Sequence, residues 1–68
     1  MSTTATYSVE GMTCGHCVQS VTTEVSQLQG VTDVAVDLES GQVTVTSEAA
    51  LDSNAVRAAV EEAGFELR

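Results

Sequence analysis

The chain has 68 residues with a formal net charge of −8, ten acidic side chains facing only two basic ones, Arg57 and Arg68. A chain this short folds as one domain that buries only about 60% of its unfolded surface, which excludes a large enclosed active site. So acidic a surface repels phosphate backbones and anionic lipid, so nucleic acid and membrane surfaces are excluded as partners. The opening "MSTTATYS" has neither the positive start nor the apolar run of a signal peptide, and no apolar run approaches a membrane span. The expected location is the cytoplasm, without membrane insertion, where thiols stay reduced.

In "TATYSVE", Ala5, Tyr7 and Val9 share one face and Thr6, Ser8 and Glu10 the other, the period of a half-buried strand. From Cys17 to Gln29 the apolar residues Val18, Val21, Val25 and Leu28 fall at helical spacing, and Gly30 supplies a helix stop. "VTDVAVDLESGQVTVTS" reads as a hairpin, with Val34, Val36 and Leu38 facing Val43 and Val45 across a turn centred on Ser40 and Gly41. Asp33, Asp37, Thr44 and Thr46 point outward. Asp52 is the predicted N-cap of a second helix with a stripe of Val56, Ala59, Val60 and Ala63, stopped by Gly64. "FELR" closes the chain as a short strand with Phe65 and Leu67 inward.

The order βαββαβ contains two βαβ halves, and right-handed crossovers put both helices on one face of a four-stranded antiparallel sheet. The predicted fold is α+β, a ferredoxin-like sandwich with one solvated sheet face. Its topology makes the loop before the first helix a neighbour of the turn leading into Phe65.

That loop holds the only Cys and His residues of the chain, in "GMTCGHC", Gly11 to Cys17. A disulfide over a two-residue gap closes a very small ring and gains little chain entropy, and a reducing compartment opposes it. A CxxC oxidoreductase normally sets a cis-Pro loop against its thiols, and this chain has no Pro. A structural zinc site needs a second ligand pair, and haem attachment needs His directly after the second Cys, where Val18 stands. What remains is an open site of two thiolates, Cys14 and Cys17. Soft sulfur donors select soft ions, Cu(I) foremost, and low coordination leaves room for an incoming sulfur. A helix N-terminus beside them favours the anionic complex.

"GMTCGHC", "VDLESGQVTV" and "AVEEAGF" together resemble the heavy-metal-associated domain found in small bacterial copper chaperones and in the N-terminal regions of heavy-metal P-type ATPases. The resemblance covers essentially the whole chain and implies one such domain over residues 1–68, with Cys14 and Cys17 as metal ligands. It further implies that Met12 anchors the loop from inside the core. Members favouring zinc or cadmium often carry an acidic residue before the first Cys; Thr13 stands there, which points to Cu(I) as the bound ion. Bacterial chaperones often place Tyr beside the metal where this chain has Phe65.

His16 reads equally as a solvated imidazole or as an occasional third donor or proton-sensitive neighbour. Tyr7 reads as core, with its hydroxyl at the sheet edge. RNA-recognition domains share the element order but place aromatics on a basic open sheet face, where this chain has Thr6, Ser8, Thr44 and Asp37. An acylphosphatase-like enzyme would need Arg in the loop after the first strand, and none is there. The expected function is that of a copper chaperone, not an enzyme, handing Cu(I) to the metal-binding domain of a copper-transporting P-type ATPase. A metal-linked homodimer is a second expected partner state. The alternatives are the excised metal-binding domain of such an ATPase, or a carrier of Zn, Cd or Hg. A chain that starts at Met and ends just after its last strand favours the free-standing carrier.

Overall fold

The structure is a computed structural model and describes residues 2–67. In chain order it contains β1 (Thr3–Glu10), α1 (Gly15–Ser26), β2 (Val31–Asp37), β3 (Gln42–Ser47), α2 (Ser53–Glu62) and β4 (Glu66–Leu67). The sheet order is β2-β3-β1-β4, antiparallel at every step. This is the ferredoxin-like βαββαβ sandwich expected from the periodicities.

Valine dominates the core. Val21 and Val25 of α1, Val43 and Val45 of β3, and Val56 and Val60 of α2 are all fully buried. The register explains the strand share: Tyr7 and Val36 flank Val43, and Ala5 and Val34 flank Val45, so one sheet face is continuously apolar. Each such burial contributes roughly 1.5–3 kcal/mol. β-Branched side chains suit the strands and are slightly unfavourable in helices, so packing against the sheet, more than local propensity, holds α1 and α2. Asp52 caps α2 as expected, its carboxylate accepting from Asn54 N–H at 2.9 Å.

Three sequence expectations shift. The first helix begins at Gly15 and ends at Ser26, two residues earlier than Cys17 at its start and three before Gln29 at its end. Its buried residues are Val21 and Val25, with half-buried Cys17 in the helix and Leu28 just beyond its end packed against the core, whereas Val18, also half-buried, stands outside the core cluster. Leu38 does not face Val43: it lies in the turn after β2 and is 38% exposed. The reason is Gly41, at φ +75°, whose N–H donates to Asp37 O at 2.8 Å and whose carbonyl accepts from Val9 N–H at 2.8 Å. That closure starts the turn at Leu38. Arg68, the last residue of the expected final strand, lies outside the described residues.

Candidate metal centre

The loop between β1 and α1 is built from both ends. Val9 and Met12, on either side of Gly11, are buried in the core, Met12 at 9% exposure, which fixes the loop from inside as the resemblance implied. Gly11 is required twice over. Its φ is +96°, and a Cβ there would stand 3.2 Å from Cδ1 of Phe65. The ring of Phe65 therefore lies against the backbone of the thiol loop, the neighbourhood that the topology predicted.

Cys14 is the N-cap of α1 and makes no side-chain capping bond, and no acidic residue stands in the first turn. The positive end of the helix is thus left to act on the sulfurs. The carbonyl of Cys14 accepts from Cys17 N–H at 3.0 Å and from Val18 N–H at 3.2 Å, which sets Cys17 one turn on, beside Cys14. The two Sγ atoms are 3.1 Å apart, both thiols are free, and they differ in setting: Cys14 is exposed, whereas Cys17 is half-buried and packed against the core. Cys17 is lowered from 9.0 to about 7, chiefly by a hydrogen bond from the Thr13 backbone and next by one from the Cys14 side chain. A thiol so placed is substantially thiolate at neutral pH.

Two sulfurs on opposite sides of one ion stand about 4.6 Å apart, given metal–sulfur bonds of about 2.3 Å. At 3.1 Å the pair is about 1.5 Å closer than a linear two-sulfur grip on an ion would require. His16 turns elsewhere. It lines an open cavity of about 370 Å³ between the helices, with Gln19, Ser20, Thr23 and Glu24 of α1 and Glu62 and Ala63 at the end of α2. Among the described residues no group of three or more His, Cys, Asp and Glu side chains is placed to hold a metal ion.

A profile of the heavy-metal-associated domain matches residues 6–66. The chain belongs to the heavy-metal-associated domain family. It is 41% identical over 63 residues to the Bacillus subtilis (strain 168) protein called copper chaperone CopZ, covering 91% of each chain. It is 39% identical over 64 residues to human copper-transporting ATPase 2, covering 93% of this chain and 4% of the ATPase. The solved structure of a CopZ metallochaperone superposes with a TM-score of 0.90 at 33% identity, over 97% of this chain and 100% of that one.

Within this heavy-metal-associated domain, two contributors to the loop were not singled out from the sequence. The backbone of Thr13 is one, because a main-chain hydrogen bond to sulfur leaves no trace in residue type. Gly11 is the other. Its signal was present, since a Gly directly after a strand and before a buried Met marks a sharp, close-packed turn.

Proposed function

We propose that this heavy-metal-associated domain is a cytoplasmic copper chaperone, a carrier and not an enzyme, with Cys14 and Cys17 as its metal ligands. It holds one Cu(I) between the two thiolates and passes it to the metal-binding domain of a copper-transporting P-type ATPase. Transfer proceeds by ligand exchange: an incoming thiolate adds to the two-coordinate ion, one carrier sulfur leaves, and the copper keeps its oxidation state. The observation that carries this reading is the pair of free thiols 3.1 Å apart at an uncapped helix N-terminus, one exposed and one anchored. Soft sulfur and a low ligand count together favour Cu(I) over Zn(II), which prefers four donors in a tetrahedron. The similarity to copper chaperone CopZ over 91% of that chain supports the carrier role. No helix among the described residues is long and apolar enough to cross a membrane, which is consistent with a cytoplasmic carrier.

Native mass spectrometry of the reduced protein, offered Cu(I), Zn(II), Cd(II) and Hg(II) separately and in competition with a thiol buffer, tests the reading. One copper per chain, retained against Zn(II), is the expected result. Preferential retention of Zn(II), or copper taken up only in multiples, would overturn it. The 39% identity to a segment of an ATPase supports a second reading, a metal-receiving domain of a transporter. The direction of transfer between the loaded protein and a free ATPase domain separates the two: a carrier delivers, a receiving domain accepts.

A further inference from the structure

α1 runs away from the thiol loop and α2 returns to the turn into Phe65, and a groove follows the seam between them. Its half nearer the thiols is the polar cavity that His16, Gln19, Ser20 and Thr23 line. The other half is a second open cavity, of about 440 Å³, and its lining is largely apolar: Leu28 just past α1, with Ala55, Ala58 and Ala59 on one side of α2. Glu24 and Glu62 line both cavities, so the two carboxylates stand where the halves meet.

Charge, backbone and shape together select an occupant. Glu24 is half-buried, and neither carboxylate has a hydrogen bond or ion pair among the described residues. Arg57 lines neither cavity. A carboxylate partly withdrawn from water attracts a cation more strongly than one on an open surface. The groove walls are helices whose backbone groups already pair internally, so an extended segment would find few partners for its own N–H and C=O groups there. A helix arrives with those bonds made. Alanine at 55, 58 and 59 keeps the wall of α2 low, which allows another helix to approach at the usual interaxial distance of about 8–10 Å. A second copy of this chain does not fit the charge: it brings the same net charge of −8 and, among its described residues, the single basic side chain of Arg57.

We propose that the half of the groove remote from the thiols docks a cationic amphipathic helix of a protein partner. Apolar side chains of that helix at i, i+3 and i+4 lie on Leu28, Ala55 and Ala58, and a Lys or Arg one turn away sits between Glu24 and Glu62. Cys14 lines neither half of the groove, so the docked helix leaves the exposed thiol uncovered.

The probe is a fluorescent synthetic helix of about 18 residues, built from Lys, Leu and Ala with the apolar stripe at that spacing, alongside a scrambled peptide of the same composition. Anisotropy titrations use the reduced, metal-free chain with a copper chelator present, up to about 1 mM. The patterned peptide should bind about tenfold or more tightly than the scrambled one, gain helical circular dichroism on binding, and shift amides of residues 24–28 and 55–62. Glu24→Gln with Glu62→Gln should weaken binding by about tenfold and flatten its dependence on salt between about 0.01 and 0.15 M. Ala58→Gln keeps a good helix former at an exposed position of α2 while raising the groove wall, and should also weaken binding by about tenfold. The Cys14→Ser, Cys17→Ser double variant should bind the peptide as wild type does. Equal binding of the scrambled peptide would reduce the effect to general attraction by an acidic chain and overturn the proposal. So would a bound peptide without helix gain, amide shifts centred on the thiol loop, self-association of the chain through this face, or binding indifferent to both groove substitutions.

Discussion

Cys17 both packs against the core and is a candidate ligand, and both roles follow from its place one helical turn after an uncapped N-terminus. Hydrogen bonding to its thiolate, first from the Thr13 backbone and then from the Cys14 side chain, holds it at about 7 against an ordinary 9.0. The sign is that of a depressed acid. The thiolate adds stability above the ordinary thiol value, and that contribution is lost as pH falls through about 7. Peptide-resolved alkylation of Cys17 should therefore reach half its maximal rate near pH 7; a midpoint near 9.0 would remove the proposed activation. His16, lining the cavity between the helices, should matter little to affinity. His16→Ala is expected to shift Cu(I) competition far less than Cys17→Ser, since two sulfurs already satisfy the ion. An equal loss would make the imidazole a ligand.

Secondary-structure elements place the thiol loop, so changes far from sulfur should alter stability before affinity. Asp52→Ala removes the carboxylate that accepts from Asn54 N–H and should cost about 1 kcal/mol. Gly41→Ala meets both a φ of +75° and a Cβ contact of 2.9 Å with the carbonyl of Val9, so a larger loss of roughly 1–3 kcal/mol is expected. In a domain of this size each kcal/mol lowers the melting temperature by about 4–8 °C, so calorimetry resolves the two and ranks Gly41→Ala below Asp52→Ala. Equal melting temperatures would mean that the turn relaxes freely. Much at this scale was legible in the sequence: strict alternation in β1 and β3, the Asp52 cap and the α2 stripe all transfer directly to the fold. The start of α1 was not, because Gly15 and His16 show no apolar period and Cys14 caps without the side-chain bond that marks most N-caps. Val18 reads as core because Val is apolar, while Cys17 packs against the core at the right spacing from Val21 and Val25. Leu38 was misplaced because a period-two pattern carries no information about where a glycine-dependent turn closes. The thiol pair itself was legible, but the asymmetry between a half-buried Cys17 packed against the core and an exposed Cys14 required the packing.

For the whole molecule, six of the ten carboxylates lie at the thiol end, so a transfer partner that meets this end should present Lys or Arg around its own thiols. Steered association weakens as added salt shortens the screening length from about 30 Å at 0.01 M to about 8 Å at 0.15 M. The rate of copper transfer should fall across that range, while its equilibrium, set by two sulfurs on either side, should change much less. Stopped-flow transfer to an ATPase domain checks this, and a rate indifferent to salt would leave shape around Met12 and Phe65 as the recognition surface. The central claim is that two thiolates make the copper site on a fold that does not depend on them. Competition with a Cu(I) chelator, run on the wild type and on the Cys14→Ser, Cys17→Ser double variant with circular dichroism alongside, tests it most directly. The double variant should keep the folded spectrum and lose all competition with the chelator; a folded double variant that still competes as wild type would contradict the two-thiolate site.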